Sequence, residues 1–391
     1  MENNLVIDLD ANATTAMLPE VVDAMLPWLA GNHANPSSSY KTARLARNAI
    51  NDSRAQVAEL IGASPEEIVF TGSGTESVNT ALYSLDKLAG EGAILVSTIE
   101  HSAVLRFAES RKRRVKYIPV HADGIIDLDS FRENCDGAGY VSLMLANNET
   151  GVIQPLSAAV EIAKKHSLPI HTDAIQAVGK IPVNAKDLGI DMLSISAHKF
   201  HGPKGIGAIY IRNGLDFTAM IHGGGQEINR RSGTENTAAI VAMGAAAQLA
   251  KESLESAIPG RIKLMRDSFE NFLLEHVSGC GRNGNADFRL PNTSHLSFAG
   301  CDSAGLLILL DESGVACSAG SACMSGKQKP SHVQLAMGIP EKSAKTSLRF
   351  SFSRINSLDQ AMEAAGKVKM AVEKLRSVQG SGLGPVVVYT D

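Results

Sequence analysis

Short apolar runs alternate with amphipathic stretches between residues 67 and 211, and this alternation constrains the fold more than any other feature of the chain. Such runs are typical of buried strands, and the stretches between them have the periodicity of helices. Strands that alternate with helices form a mostly parallel sheet covered on both faces, which explains why the strands are apolar throughout. The predicted strands are 67–71, 93–98, 115–120, 140–146, 168–172, 192–196 and 207–211, and the predicted helices among them are 75–88, 102–113 and 157–166.

Further helices flank this pattern. One is predicted from about residue 35 to Gly62, with 37–39 as candidate caps. A long helical region at 236–276 is interrupted by Pro259-Gly260 and is the expected link to a second domain. Beyond it, the predicted strands are 292–298 and 347–353, and the predicted helices are 302–311 and 358–378.

The length of 391 residues favours two domains rather than one. The link at the long helical region sets the expected boundary. We therefore predict an α/β fold with a large domain, residues 15–257, that contains the mostly parallel sheet, and a smaller α+β domain formed by residues 1–14 and 258–391.

Composition argues against several classes of function. The formal net charge is −4, with 41 acidic against 37 basic residues, which is unlike a nucleic-acid-binding protein. No apolar run reaches the roughly 18 residues of a membrane span. The first ten residues lack a signal-peptide pattern, so a cytoplasmic protein is expected. The five cysteines form no C-x-x-C pair and the histidines have no ligand-like spacing, so neither disulfides nor a metal site are expected.

The first motif with chemical content is Thr-Gly-Ser-Gly-Thr-Glu-Ser at 71–77, between a predicted strand and a predicted helix. Gly74 and Thr75 are expected at the helix N-terminus, where free backbone N–H groups bind phosphate. Because Gly-Ser turns before helices are common, this motif alone leaves phosphate binding open.

The second motif is His-Thr-Asp-Ala-Ile-Gln at 171–176, at the end of a predicted strand. Ligands of open α/β sheets bind at the carboxyl ends of the strands. Asp173 is either a plain cap of the next helix or a carboxylate that pairs with a protonated ring nitrogen. Gln176 is expected one turn further along the same helix face.

The third motif, 194–205, places Ser196, His198 and Lys199 at the end of another predicted strand. A partly buried lysine has a lowered pKa and can bond covalently to a carbonyl cofactor. Pyridoxal 5'-phosphate needs such a lysine and a carboxylate for its ring nitrogen. Lys199 and Asp173 together therefore predict a pyridoxal-phosphate transferase fold, aspartate-aminotransferase-like. The alternative, a Rossmann oxidoreductase, requires a G-x-G-x-x-G after an early strand, which this chain lacks.

Motifs that extend from residue 10 to about residue 375 are shared with one enzyme family. Besides the three described above, they are Asn-Pro-Ser-Ser at 35–38, Asn-Asn-Glu-Thr-Gly at 147–151, His-Gly-Gly-Gly-Gln at 222–226, Arg-Ser-Gly-Thr at 231–234 and Gly-Ser-Ala-Cys at 320–323. On these motifs the chain resembles the cysteine desulfurases of the class V aminotransferase group, and in particular the bacterial NifS/IscS type.

The resemblance implies a role for each cofactor-binding residue. Lys199 is implied to bond to pyridoxal 5'-phosphate, and Asp173 to keep the ring nitrogen protonated. Gln176 is implied to donate to the phenolic oxygen, and His101 to stack on the ring and assist proton transfer. The implied phosphate ligands are Gly74, Thr75, Ser196, His198 and, reaching across from the other subunit of a homodimer, Thr234.

The resemblance also implies a substrate pocket for L-cysteine. Asn148 and Arg349 are implied to bind the substrate carboxylate, for which an arginine fork is well suited. Asn35 is implied to line the same pocket, together with the loop at 12–14.

Cys323 lies in a stretch of small, polar and basic residues, 321–330, which predicts an exposed loop. The nearby Lys327 and Lys329 favour its thiolate form. The resemblance implies that this thiolate takes the sulfur of L-cysteine as a persulfide, leaves L-alanine, and passes the sulfur to an acceptor protein for iron–sulfur clusters or another product. Cys317 is either a second thiol for this relay or, as the adjoining apolar residues favour, a small buried residue.

Two other classes of function stay open at this level. One is another pyridoxal-phosphate enzyme of the same fold, such as an aminotransferase, a selenocysteine lyase or a cysteine lyase that releases sulfide. A plain aminotransferase has no use for Cys323 on a long loop. The other is a non-catalytic scaffold protein, which has no use for Lys199. The sulfur acceptor does not follow from the sequence.

Overall fold

The computed structural model of the chain describes residues 6–319 and 330–380. The strands are β1 (Ile7–Asp8), β2 (Ile68–Thr71), β3 (Ala93–Ser97), β4 (Val115–Ile118), β5 (Ala138–Ser142), β6 (Ile170–Asp173), β7 (Met192–Ser196), β8 (Gly207–Ile211), β9 (Cys280–Arg282), β10 (Thr293–Phe298), β11 (Val315–Ala316) and β12 (Ser347–Ser351). The helices are α1 (Pro19–Ala30), α2 (Lys41–Leu60), α3 (Gly74–Leu88), α4 (Ser102–Ser110), α5 (Leu128–Asn134), α6 (Leu156–Lys165), α7 (Ala185–Leu188), α8 (Thr237–Leu254), α9 (Ile258–His276), α10 (Ser303–Glu312), α11 (His332–Ala336), α12 (Glu341–Ala344) and α13 (Leu358–Gly380).

The largest sheet has the strand order β2-β8-β7-β6-β5-β3-β4. β8 runs antiparallel to both of its neighbours, and the adjacent pairs from β7 to β4 are parallel. β2, β3, β7 and β8 are buried along their whole length because helices cover both faces of the sheet. The predicted α/β fold with a mostly parallel sheet is confirmed.

The N-terminal segment packs away from this sheet. β1 pairs in parallel with β11, and Asp10 forms a bridge with Ser351 at the end of β12. The chain then turns towards the large sheet, where the backbone N–H of Thr15 donates to the carbonyl oxygen of His198 at 2.9 Å. Residues 10–15 therefore lie between the small sheet β12-β10-β9 and the end of β7.

A separate apolar core forms in the second part of the chain. Its aromatic centre is Phe269, whose ring centroid lies 4.8 Å from that of Phe350 and 5.4 Å from that of Phe352. Leu9 of the N-terminal segment belongs to the same buried cluster. The domain boundary between residues 257 and 258 stays a prediction.

Two helix boundaries predicted from the sequence are wrong. α2 begins at Lys41, not near residue 35, and its N-cap residue Tyr40 makes no side-chain cap. The residues before it form a turn in which the backbone N–H of Ser37 donates to Oδ1 of Asn35 at 2.9 Å. α4 ends at Ser110, three residues before the predicted end at 113.

The interruption of the long helical region also differs from the prediction. α8 ends at Leu254 and α9 begins at Ile258, so Pro259 lies in the first turn of α9. A proline is tolerated there because its missing N–H has no partner within the helix. The sequence did not predict α1 or α5. Among the described residues, no helix is long and apolar enough to cross a membrane.

Candidate active site

The parallel strands of the large sheet end at one edge, and predicted site residues follow several of them. His101 follows β3, Asn148 follows β5, Asp173 ends β6 and Lys199 follows β7. Gly74 begins the helix that follows β2. Residues that are far apart in the sequence therefore meet at the carboxyl edge of the sheet.

Lys199 closes a short 3-10 turn directly after β7. Its Nζ donates to the backbone oxygen of Asn12 at 2.6 Å and to that of Ala13 at 2.7 Å. Burial, and after it the charge of Arg349, lowers the pKa of this amine to about 8. A larger fraction of the amine is therefore neutral near physiological pH, as covalent bonding to a carbonyl requires.

Asp173 is buried at the end of β6, with 5% of its surface exposed. Its Oδ1 accepts the backbone N–H of Ile175 at 3.0 Å. Burial raises the pKa of the carboxyl group, whereas the charges of His101 and Lys199 act to lower it. The helix predicted after Asp173 is wrong, because residues 175–180 form a run of turns.

Gln176 lies in these turns and is buried. Its Nε2 donates to the backbone oxygen of Asn12 at 3.0 Å, and its Oε1 accepts from Nζ of Lys180 at 2.6 Å. The same Nζ donates to Oδ1 of Asn12 at 2.9 Å. Burial, with the charges of Lys199 and Arg349, lowers the pKa of Lys180 well below its usual value. Asn12 thus connects Gln176, Lys180 and Lys199.

The N-terminus of α3 packs tightly against the ends of β6 and β7. Gly74 is buried, and a Cβ atom added there would lie 2.6 Å from Cδ1 of Ile175 and 2.9 Å from Cβ of Ser196. Thr75, the next residue of the first turn, is exposed. Only glycine fits at this closest approach, and it brings the free backbone donors of α3 beside the buried Ser196.

His198 is partly buried, and its Nδ1 lies 3.2 Å from Oγ1 of Thr14. Burial, and after it the charge of Lys199, lowers the pKa of His198 to about 4. The ring is therefore neutral at physiological pH and keeps one N–H donor.

Arg349 on β12 is held by two sites in the first half of the chain. Its Nη2 forms an ion pair with Oδ1 of Asp10 at 2.7 Å, and its Nη1 donates to the backbone oxygen of Asn148 at 2.9 Å. Its Nε is buried and has no partner among the described residues. The contact of Asn148 with Arg349 is made by its backbone oxygen.

The remaining predicted residues are more peripheral or lie outside the described ranges. His101 is exposed at the N-cap of α4, where its Nδ1 accepts the backbone N–H of Ala103 at 3.1 Å. Asn35 and Thr234 are exposed, and within residues 6–319 and 330–380 neither has a hydrogen bond to another predicted site residue. Cys323 lies outside the described residues.

Three residues that hold the site together had no specific role predicted from the sequence, which gave Asn12 only as part of the loop at 12–14 and assigned no role to Asp10 or Lys180. Asp10 pairs with Arg349, Asn12 connects several polar groups, and Lys180 contacts Gln176. Asp10 and Asn12 lie where the motifs shared with the enzyme family begin, at residue 10, and this was the available signal. Lys180 gave no local signal, because an isolated lysine after glycine is normally solvated.

The donor set fits pyridoxal phosphate. Lys199 supplies an amine with a lowered pKa, and Asp173 supplies a buried carboxylate. The N-terminus of α3, with the cradle at Gly74 that a Cβ would fill, suits a phosphate. Among the described residues, no group of three or more His, Cys, Asp or Glu side chains could hold a metal ion.

Comparisons with known proteins agree with this geometry. The family model described as aminotransferase class-V matches residues 7–362. A protein of Sinorhizobium fredii named cysteine desulfurase is 44% identical over 379 residues, which cover 95% of this chain and 97% of the relative. A solved structure named NifS-like protein superposes with a TM-score of 0.88 at 33% identity, covering 95% of this chain and all of the other. A structure described as SspA in complex with cysteine has a TM-score of 0.78 at 34% identity, covering 88% of this chain and 98% of the other.

Proposed function

The chain belongs to the class-V aminotransferase family, and from this premise we propose that it is a pyridoxal-phosphate-dependent cysteine desulfurase. L-Cysteine and the thiol of Cys323 yield L-alanine and a persulfide on Cys323. The Cβ–S bond of the substrate breaks, an S–S bond forms at Cys323, and Cβ gains the proton that the thiol gives up. The observation that carries the proposal is that Arg349, from the small sheet, reaches the edge of the large sheet where Lys199 and Asp173 lie.

Lys199 is the proposed base. Pyridoxal phosphate, when bound, withdraws electrons from Cα of the substrate, which makes the Cα proton acidic and the Cβ–S bond labile. The Lys199 amine takes that proton on Nζ. The backbone oxygens of Asn12 and Ala13 lie at 2.6 and 2.7 Å and accept hydrogen bonds from the resulting ammonium.

Arg349 is the proposed anchor of the substrate carboxylate. A guanidinium group has five N–H donors, and two of these are engaged by Asp10 and the backbone oxygen of Asn148. These two contacts orient the group, and the second hydrogen on each Nη atom stays available for the substrate. A carboxylate bound there receives a directional, charge-assisted contact.

The remaining cofactor roles follow the sequence expectations. Asp173 keeps the ring nitrogen protonated, and Gln176 donates to the phenolic oxygen. His101 accepts at Nδ1 from the backbone, which leaves Nε2 as the ring nitrogen for its proposed role in proton transfer with the substrate. The phosphate is held by the N-terminus of α3 with Thr75, by Ser196 and by His198.

Cys323 is the proposed nucleophile. Both ends of the stretch that contains it are attached to the site: Ser318 exchanges backbone hydrogen bonds with Arg349, and the hydroxyl group of Ser331 donates to the carboxylate of Glu149. The only competing thiol nearby in the described ranges is Cys317. Burial raises the pKa of Cys317 to about 12, so this residue is a poor nucleophile.

The proposed assembly is a homodimer in which Thr234 completes the phosphate site of the other subunit. The support for this dimer is that Thr234 and the apolar side chain of Ile228, six residues before it, are both exposed. The backbone of 227–229 is left-handed, and the side chain of Ile228 is 70% exposed. Such strain at a β-branched residue persists only where the surroundings enforce it. Glu227 provides this restraint through its ion pair with Arg54 at 2.6 Å.

The sulfur acceptor is proposed to be a protein, either an iron–sulfur scaffold or another sulfur carrier, that takes the persulfide sulfur from Cys323. Neither nucleic acid nor a membrane is a proposed partner, and the proposed location is the cytoplasm.

The deciding experiment compares the wild type with Cys323→Ala and with Cys317→Ala as the matched control. Alanine formed from L-cysteine is measured, and mass spectrometry reads an added sulfur on the intact protein. We expect wild type and Cys317→Ala to form alanine and to carry the sulfur on Cys323, and Cys323→Ala to do neither. Equal alanine formation by all three proteins would show that Cys323 is not the nucleophile.

A further inference from the structure

Lys180 contacts the proposed cofactor site, although the proposed chemistry assigns it no role. Its Nζ donates to Oε1 of Gln176 at 2.6 Å and to Oδ1 of Asn12 at 2.9 Å. Both acceptors are buried, with 6% of Gln176 and 1% of Asn12 exposed. Burial disfavours the charged form of an amine, so a lysine is costly to place in such surroundings. The contacts therefore call for a functional explanation.

The contacts fix the orientation of two amide groups. Nζ of Lys180 donates in both contacts, and an amide accepts a hydrogen bond at its oxygen and not at its nitrogen. Each amide must therefore turn its oxygen towards Lys180. A reversed amide would place its N–H groups against the donating Nζ and lose the contact.

This orientation decides which end of Gln176 is free to meet a ligand. Its oxygen is taken by Lys180, and its Nε2 donates one hydrogen to the backbone oxygen of Asn12 at 3.0 Å. Nε2 carries a second hydrogen. The Asn12 amide is held in turn, because its Nδ2 donates to Oγ1 of Thr293 at 2.9 Å and to the backbone oxygen of Asn148 at 3.3 Å.

We propose that Lys180 is a positioning residue for the cofactor, because together with the backbone oxygen of Asn12 it fixes the sense of the Gln176 amide and makes Gln176 present an N–H group to the phenolic oxygen. The inference rests on the proposed function, in which Gln176 donates to that oxygen. In this proposal Lys180 acts through Gln176 and Asn12 and has no assigned contact with substrate or cofactor. The charged and titratable groups around it are Lys199 and Arg349, with Asp10 paired to Arg349 and with His198 and His201 beyond them.

The test reads the cofactor directly rather than turnover. A hydrogen bond to the phenolic oxygen stabilises its anionic form, so loss of that bond raises the pH at which the bound cofactor loses its proton. The visible absorbance of the full-length holoenzyme is titrated with pH for the wild type, Lys180→Met and the exposed control Lys165→Met. We expect the midpoint of Lys180→Met to rise by about one pH unit, and that of Lys165→Met to match the wild type.

The same substitution in a Gln176→Ala protein shows whether Lys180 acts by positioning Gln176 or only by its charge. If Lys180 acts through Gln176, Lys180→Met should shift the midpoint far less in a Gln176→Ala protein than in the wild type, because the donor is already absent. An equal shift in both backgrounds would show that Lys180 acts by charge alone and would overturn the inference.

If Lys180→Met does not fold, Lys180→Gln replaces it in the test. The amide that this substitution introduces at position 180 can both donate and accept a hydrogen bond, so it no longer forces the orientation of Gln176. We expect its midpoint to rise as well, and an unchanged midpoint overturns the inference. A wild type with no cofactor absorbance, even after pyridoxal phosphate is added, overturns the proposed function and the inference together. A wild type with normal absorbance and an unmoved Lys180→Met overturns the inference alone.

Discussion

A single methyl group added at Gly74 should weaken cofactor binding in a protein that still folds. Its added Cβ would lie 2.6 Å from Cδ1 of Ile175 and 2.9 Å from Cβ of Ser196. The end of the Ile175 side chain can rotate away, but Cβ of Ser196 is fixed to the backbone. In Gly74→Ala the N-terminus of α3 must therefore move away from the end of β7.

The size of the effect follows from two opposing terms. Alanine in a helix is favoured over glycine by about 1 kcal/mol, and overpacking of a dense site costs about 1–3 kcal/mol. The matched control is Gly366→Ala in α13, where an added Cβ meets nothing within 4 Å. We expect Gly366→Ala to gain about 1 kcal/mol, and Gly74→Ala to be less stable than this control by about 1–3 kcal/mol.

The displaced helix should also lose a backbone contact with the phosphate. One charge-assisted hydrogen bond contributes about 1.5–3 kcal/mol, which corresponds to about 10- to 150-fold in affinity. The assay titrates cofactor-free protein with pyridoxal phosphate by absorbance, and denaturant unfolding gives the stability of both variants. The reasoning is refuted if Gly74→Ala binds the cofactor as tightly as the wild type and gains stability as Gly366→Ala does.

Two further predictions concern the reacting groups. The pKa of Lys199 is lowered to about 8, so below that pH its amine is protonated and cannot accept a proton. Alanine formation at saturating L-cysteine should therefore fall by about tenfold per pH unit below 8. A flat pH profile between 6 and 8 would contradict this role. Arg349→Lys lacks the planar fork of donors, so KM for L-cysteine should rise by about 10- to 150-fold while the affinity for pyridoxal phosphate stays the same. An unchanged KM would show that Arg349 does not bind the substrate carboxylate.

The elements that the sequence predicted best are those determined by local pattern. β7 and β8 match their predicted ranges because an unbroken apolar run is buried on both faces in a covered sheet. Lys199 was predictable for a related reason. A lysine directly after such a strand, at the ligand-binding edge of the sheet, is placed by the strand itself.

The failures occur where a distant partner overrides a local pattern. The helix predicted to reach residue 113 ends at Ser110, and beyond it Arg111 and Arg113 form ion pairs with the buried Asp86, each at 2.8 Å. The helix expected at Gln176 is replaced by turns in which its amide meets Asn12, 164 residues away. No periodicity within a short window carries information over such separations.

The ion pair between Asp10 and Arg349 has a consequence for the timing of synthesis. Its partners are separated by 339 positions, and β1 must likewise wait for β11. At ribosomal rates of about 5–20 residues per second, Asp10 emerges on the order of half a minute before Arg349. The lysine, the carboxylate and the phosphate cradle of the large sheet are all made earlier. A nascent chain therefore carries the parts that would bind the cofactor before it can bind an amino-acid carboxylate, and substrate recognition is the last property that it acquires.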